Sequence, residues 1–171
     1  AYDFERDGIY YSILSEAQDE NELGTCEVTQ EYDYYSRLES CYEGDIEIPS
    51  VVYNPWNRKF YYVVAIGEYA FSESQLSSIT LPSSVTKFET GSFAKCKGIA
   101  SFSFYDGIEY IGDNAFDGSD LSGSLYLPNT CKYIGNSAFS YTDIVELEIQ
   151  SLSIYDYDFC IIKGAFGYCK N

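Results

Sequence analysis

Histidine is absent from this sequence of 171 residues. Its absence excludes the Ser/His and Cys/His pairs that generate a nucleophile, imidazole metal ligands and the commonest general base. Methionine is absent as well, and the chain starts at Ala1 without a visible signal peptide. We therefore expect a mature or trimmed chain from which a targeting segment has been removed.

Long apolar runs and positive charge are also scarce. The longest apolar runs are only a few residues, far short of the ~20 that span a bilayer. The 27 Asp and Glu residues outnumber the 10 Lys and Arg residues and leave a formal net charge of −17. Because such a surface repels phosphate groups, we expect neither nucleic-acid binding nor association with acidic lipid surfaces.

The six cysteines stand at positions 26, 41, 96, 131, 160 and 169, and no CxxC motif occurs. The chain therefore has neither a zinc knuckle nor a thioredoxin-type redox motif. Two pairs, Cys26 with Cys41 and Cys160 with Cys169, could form disulfides if the protein is exported. The alternative is that most of the six are small buried apolar residues. The sequence leaves both interpretations open.

Two short patterns recur along the chain. The first is "IGEYAF" (66–71), "IGDNAF" (111–116) and "IGNSAF" (134–139), with "FETGSF" (88–93) as a variant; the final Phe residues are 22, 23 and 23 positions apart, and Phe166 follows after 27. The second, L-x-x-I-x-L, comprises Leu76, Ile79 and Leu81; Ile99, Phe102 and Phe104; Leu121, Leu125 and Leu127; and Ile144, Leu147 and Ile149. This period and pattern are typical of leucine-rich repeats.

The physical role of the repeats is stacking. One repeat cannot bury its apolar face alone, whereas neighbours laid side by side share a continuous core. We expect the L-x-x-I-x-L segments to be strands paired in parallel in one sheet, and the hexapeptides to return the chain along the opposite wall. The glycines at 67, 112 and 135 are expected at a tight bend, and the alanines at 70, 115 and 138 should leave room for the Phe rings to stack. The hexapeptide is thus predicted to pack in the hydrophobic core and to have no catalytic or binding role.

A family resemblance rests on these motifs. "LPSSVTKFETGSFAKC" and "LPNTCKYIGNSAF" resemble the BspA-like (treponemal-type) leucine-rich repeats, whose pattern runs LxxIxLPxxVxxIGxxAFxxC, and the resemblance covers residues 63–171. It implies a repeat solenoid, a right-handed leucine-rich-repeat superhelix with a parallel β-sheet on its concave face. We expect four to five coils over residues 61–171. No further L-x-x-I strand follows "GAFGYCKN", so we expect this end to be truncated; the alternative is that it packs against another surface.

Residues 1–60 are predicted to form an N-terminal antiparallel β cap. Strand-length segments occur at "DGIYYSIL" (7–14), "TCEVTQ" (25–30) and "GDIEIPSVVY" (44–53), and "KFYYVVAIG" (59–67) leads into the first repeat. Such a cap would cover the open sheet edge and the exposed core at the end of a solenoid. This block also resembles the leader of many BspA-like surface proteins of gut bacteria.

Motifs that would indicate catalysis or metal binding fail on inspection. "DNAFDGSD" (113–120) resembles a calcium loop, but Ala115 stands at the third position and Ser124 at the twelfth. Asp156, Asp158 and Glu148 could hold a hard cation, although a solvated acidic face is the favoured interpretation. No phosphate-binding loop occurs, and no carboxylate pair lies on a recognisable glycosidase motif. We therefore predict no enzymatic activity, no metal site and no cofactor.

The strand positions between the buried residues are predicted to face outward on the concave sheet and to bind a ligand. They are Ser78, Thr80, Ser101, Ser103, Tyr105, Ser124, Tyr126, Glu146, Glu148 and Gln150. Tyr and Ser are frequent recognition residues, but an ordinary polar outer face would have a similar composition. Four strands ~4.8 Å apart present roughly 200 Å², well below the ~800 Å² per partner of a standard protein interface. A ligand would have to be small, such as a glycan, or contact loops and further repeats too.

The resemblance implies a secreted or cell-surface binding and adhesion module of a host-associated bacterium, outer-membrane anchored or secreted. Its expected partners are host matrix proteins, glycans or neighbouring cells, with no nucleic acid and no membrane insertion by this segment. The alternative function is a structural spacer or assembly module of a larger surface protein, with no ligand of its own.

Overall fold

The computed structural model describes residues 2–19, 21–31, 42–150, 160–161 and 164–169, with 160–161 described by their backbone alone. Within these ranges the regular structure is entirely β-strand, and none of it is helical. The strands are β1 (Phe4–Arg6), β2 (Ile9–Ser15), β3 (Gly24–Thr29), β4 (Glu43–Glu47), β5 (Val51–Asn54), β6 (Lys59–Ile66), β7 (Gln75–Thr80), β8 (Lys87–Phe88), β9 (Tyr110–Ile111), β10 (Ser122–Leu127), β11 (Tyr133–Ile134), β12 (Asp143–Ile149) and β13 (Cys160–Ile161).

The first three strands form an antiparallel meander, in which β1 is a strand that the sequence did not predict. Asp7 and Gly8 connect β1 to β2, with φ values of 54° and 79°. Two successive positive φ values give the two-residue turn whose twist matches that of the flanking strands. Phe4, Tyr11 and Val28 point inward from the meander and are buried. The meander therefore contributes directly to the core.

One sheet extends through the whole repeat array, and it lies on the hexapeptide wall. Its strand order is β1-β2-β3-β6-β8-β9-β11-β13, with β5 antiparallel to β6 beside this path. From β3 onward, each strand in this order is parallel to the next one. In β8, β9 and β11 the second residue, an Ile or Phe, is fully buried. The segment that we expected only to return the chain is therefore the continuous sheet.

The L-x-x-I-x-L segments do not form the single sheet that the sequence predicted. β7 pairs with β4 and β10 pairs with β12, both in parallel, while residues 99–105 between them form no strand. Phe102 and Phe104 occupy inward positions that hold Ile or Leu in the neighbouring repeats. Both rings contact Phe88 edge-on, with centroid distances of 5.6 and 5.8 Å. We attribute the break to these larger rings, which fill the core while holding the segment out of strand register.

β4 is a second departure from prediction. The sequence places "GDIEIPSVVY" in the antiparallel unit, but β4 is parallel to β7 and begins the L-x-x-I-x-L wall. The N–H of Ile48 continues this pairing by donating to Thr80 O at 2.9 Å. The cause is visible in the chain, because G-D-I-E-I-P (44–49) has the spacing of S-S-I-T-L-P (77–82). Repeat-like pairing therefore begins within the first sixty residues.

A column of stacked phenylalanine rings occupies the centre of the repeats. The consecutive pairs of Phe71, Phe93, Phe116, Phe139 and Phe166 have centroid distances of 5.0, 5.1, 5.4 and 5.1 Å. The first four rings are at most 1% exposed, and the alanines at 70, 115 and 138 beside them are fully buried. This confirms that the hexapeptide is core.

The glycine of the hexapeptide is required by a close approach rather than by a bend. The φ of Gly135 is not positive, but a Cβ there would lie 2.4 Å from Asp113 Oδ1 and 2.5 Å from Asp113 N. A Cβ at Gly67 would likewise lie 2.8 Å from Val28 O. The positive φ falls two residues later, at positions 69, 91, 114, 137 and 164, with values from 54° to 94°. The predicted tight bend exists, but it lies two residues beyond the glycine.

Candidate ligand-binding face

The outward side chains of the L-x-x-I-x-L wall form a surface that we call the open face. Nine of the predicted site residues lie on it and are exposed: Ser78 and Thr80 on β7, Ser124 and Tyr126 on β10, Glu146 and Glu148 on β12, Gln150 after β12, and Ser101 and Ser103 in the segment without a strand. The β10–β12 register sets Ser124 beside Glu146 and Tyr126 beside Glu148. Their role in binding a ligand stays a prediction.

Tyr105, the remaining predicted site residue, is half-buried. Its hydroxyl lies between two main-chain carbonyls that can accept its single proton, Val85 O at 2.7 Å and Pro82 O at 2.8 Å. Burial raises the pKa of Tyr105 to about 12. The hydroxyl proton is therefore already committed to the preceding repeat, so only part of the ring is available to a ligand.

Acidic side chains occupy both ends of the open face. Glu43, Asp45 and Glu47 of β4 are exposed and stand in register with β7. At the other end lie the carboxylates of β12. Asp45 Oδ1 accepts a hydrogen bond from Ser78 Oγ at 2.6 Å. Glu146 Oε2 on β12 accepts one from Ser124 Oγ at 2.8 Å. The three acids of β4 were not among the predicted site residues. The spacing of G-D-I-E-I-P (44–49) is the signal that could have placed Asp45 and Glu47 on this wall.

Two grooves flank the segment that forms no strand. Groove A, of about 530 Å³, lies between β7 and residues 98–105. Groove B, of about 330 Å³, lies between residues 101–104 and β10. Both volumes are within the ~300–1,000 Å³ of small-molecule sites. All the described residues that line the two grooves are uncharged.

A third groove, also of about 530 Å³, has the opposite character. It lies between the β1–β2 turn and β4, and its lining includes Arg6, Asp7, Glu43, Asp45 and Glu47. Arg6 Nε is 3.3 Å from Asp7 Oδ2, so its one cation is already paired at the surface. This groove presents excess negative charge, which distinguishes it from grooves A and B.

A carboxyl group with a perturbed pKa lies on the opposite wall. Burial, followed by the negative charges of Glu89 and Glu68, raises the pKa of Glu27 to about 7. Burial also raises the pKa of Glu89. In the part of the chain that is described, no three His, Cys, Asp or Glu side chains are grouped so as to hold a metal ion. Of the acids considered as cation ligands, Asp156 and Asp158 lie outside the described residues.

The described thiols are free. Cys26, Cys96 and Cys131 are buried, and Cys169 is half-buried with its Sγ 3.2 Å from Phe139 O. Burial raises the pKa of Cys26 to about 12 and that of Cys96 and Cys131 to about 11. Neither of the two disulfides that the sequence left open is present, because Cys26 and Cys169 are unpaired. Cys41 and the side chain of Cys160 lie outside the described residues. The three buried thiols behave as small core residues, as the alternative interpretation proposed.

A family model for the BspA-type leucine-rich repeat region matches residues 57–171 in six copies. The chain belongs to the BspA-type leucine-rich repeat family. Six copies exceed the four to five coils that we expected, and the match begins four residues before the expected boundary at 61. The resemblance inferred from "LPSSVTKFETGSFAKC" is thereby confirmed.

Two crystal structures are similar to this BspA-type chain. The pneumococcal vaccine antigen PcpA aligns with a TM-score of 0.66 at 28% identity, over 86% of this chain and 38% of that one. A leucine-rich repeat protein from Bacteroides ovatus aligns with a TM-score of 0.53 at 25% identity, over 86% and 41%. The chain thus spans about two fifths of each. No curated protein sequence matches it. Among the described residues no helix is long and apolar enough to cross a membrane.

Proposed function

We propose that this chain is a binding and adhesion module, secreted or held at the cell surface, that engages host matrix proteins, glycans or other cells. The observation that carries the proposal is the open face, on which nine hydroxyl, aromatic, amide and acidic side chains are exposed side by side on one wall. Exposed Tyr and Ser residues on a rigid scaffold suit recognition. The similarity to a protein described as a vaccine antigen supports an extracellular location.

We propose further that the repeats wind into a right-handed superhelix with the open face on its concave side. Parallel strands joined by crossovers are right-handed in nearly all proteins, and the hexapeptide wall consists of such strands from β3 onward. The β1–β3 meander would then cap the N-terminal end, where it pairs with β6 and covers the apolar end of the array.

The chemistry of the described side chains supports a role without catalysis. An activated thiol nucleophile requires a lowered pKa, whereas burial raises the pKa of Cys26, Cys96 and Cys131. The pKa of Tyr105 is raised as well. We therefore propose neither an enzymatic activity nor a cofactor.

The test is binding to immobilised matrix proteins, mucins and glycans by the wild-type chain and two double variants. Tyr126→Ala with Glu148→Lys alters the open face, and Tyr62→Ala with Glu22→Lys makes matched changes at exposed positions elsewhere. We expect only the first to weaken binding by about tenfold or more. Retained binding in the first variant would place the function on another surface. If none of the three proteins bound any probe, the result would favour the alternative, a spacer or assembly module without its own ligand.

A further inference from the structure

The break in the L-x-x-I-x-L wall leaves main-chain groups without partners. The N–H and C=O groups of residues 101–104 make no hydrogen bond to another described residue. β7 and β10 each pair with one strand on the side away from the break. Beyond the Gln75–Lys97 bridge on β7 and the hydrogen bond that the N–H of Ser122 on β10 donates to Ala100 O at 2.9 Å, their inner edges face grooves A and B. Because polar main-chain groups need partners, this site offers donors and acceptors to water or to a ligand.

Side-chain hydroxyls line the same grooves. Ser77 and Thr80 border groove A, and Ser101 and Ser103 border both grooves. None of these four hydroxyls is bonded to another described residue, so each can both donate and accept. Tyr126 borders groove B with 40% of its surface exposed and offers a flat apolar ring beside the hydroxyls.

The charge distribution narrows the ligand class. The chain carries a net charge of −17, yet the described lining of both grooves is uncharged. An anionic ligand would be repelled by the acids at either end of the open face, and a cationic ligand would be held better by those acids than by the grooves. Alternating hydroxyl donors and acceptors around partly apolar walls suit a neutral polyhydroxylated molecule.

We propose that the break in the wall, formed by residues 101–104 with grooves A and B, is a binding site for a neutral oligosaccharide. Sugar hydroxyls would pair with the free main-chain groups and with Ser77, Thr80, Ser101 and Ser103, and a sugar ring would lie against Tyr126. This inference rests on the proposed binding function and specifies the ligand class. It does not require the acidic residues of β4 or β12.

Calorimetric titration of the full chain tests the proposal at low and high ionic strength. The probes are maltohexaose, cellohexaose, chitohexaose and mannohexaose as neutral sugars, a heparin hexasaccharide as an anion, hexalysine as a cation, and fibronectin as a protein ligand. We expect binding of a neutral sugar that is unchanged by salt, because salt screens only charged contacts. Hydrogen exchange of the amides of residues 101–104 should slow when that sugar is bound.

The variants locate the site. Ser101→Leu with Ser103→Leu removes two hydroxyls and fills both grooves, and should weaken sugar binding about tenfold or more. Ser50→Leu makes the same kind of change at an exposed serine outside the grooves and should leave affinity unchanged. All three positions are on the surface, so thermal melting should confirm that each variant is folded.

Each remaining outcome overturns the proposal in a distinguishable way. Sugar binding that survives the double leucine variant would place the site elsewhere on the chain. Binding of fibronectin, heparin or hexalysine but of no neutral sugar would overturn the ligand class and leave the binding function standing. Absence of binding to every probe would contradict the sugar site and count against the binding function as well.

Discussion

Phe116→Ala tests the stacked core directly. The ring is 1% exposed and has five phenylalanine neighbours with centroids 5.1 to 5.6 Å away. Removing a buried phenylalanine costs about 3–5 kcal/mol, and we expect the upper part of that range because rings fixed on both sides cannot collapse into the cavity. A domain's whole stability is only about 5–15 kcal/mol. Urea unfolding followed by circular dichroism should show a sharply lower midpoint.

Two further variants serve as controls in case Phe116→Ala does not fold. Phe116→Leu keeps the site apolar and should lose a smaller amount, about 1–2 kcal/mol. Tyr126→Ala, at a side chain that is 40% exposed, should lose less than about 1 kcal/mol. Equal losses at Phe116 and Tyr126 would show that the assignment of inward and outward faces is mistaken.

Three other predictions follow from the structure. Gly135→Ala should lower the melting temperature, because its Cβ would lie 2.5 Å from the main-chain N of Asp113; an unchanged melting temperature would contradict the close approach. The pKa of Glu27 is raised from 4.5 to about 7, so its contribution to stability should fall as pH rises between these values, and Glu27→Gln should flatten that dependence in melting experiments. Amides of residues 101–104 should exchange hydrogen faster than those of β10 in mass spectrometry; equal protection would mean that the wall is unbroken.

The sign of the Glu27 effect follows from proton linkage. Between pH 4.5 and about 7 the folded state binds the carboxyl proton more tightly than the unfolded state does. Stability therefore decreases as pH rises through this interval, and is unaffected by this group below it, where both states are protonated. Glu68 and Glu89 face the same carboxyl, with Lys87 near Glu89 as an opposing charge. A loss of stability toward acid that disappears in Glu27→Gln would contradict this assignment.

The stacked core of the repeats could be predicted from the sequence, because a contact that recurs in every repeat requires the same residue type at the same position of each repeat. Phe71, Phe93, Phe116 and Phe139 recur at nearly constant spacing and do form one column. The continuous sheet was misplaced because its strands are two residues long in β8, β9 and β11. Such strands are too short to show a period of two.

The irregular part escaped prediction for a different reason. Phe102 and Phe104 satisfy the apolar pattern as well as Ile and Leu do, so the pattern alone does not predict that this segment forms no strand. Grooves A and B lie on the two sides of this segment. The exposed positions of Ser101 and Ser103 could therefore be predicted from the sequence, but the grooves beside them could not.

The phenylalanine column also constrains how such a protein can change in length. Each ring contacts the rings of adjacent repeats, at 5.0 to 5.4 Å, so a duplication or deletion of one whole repeat would leave every remaining contact of the same kind. An insertion of any other length must loop out to preserve the column. The interval of 27 residues before Phe166 fits this rule, because that ring still stacks on Phe139 at 5.1 Å. Genetic variation in array length should therefore occur in whole repeats, with odd-sized insertions confined to the connections between them.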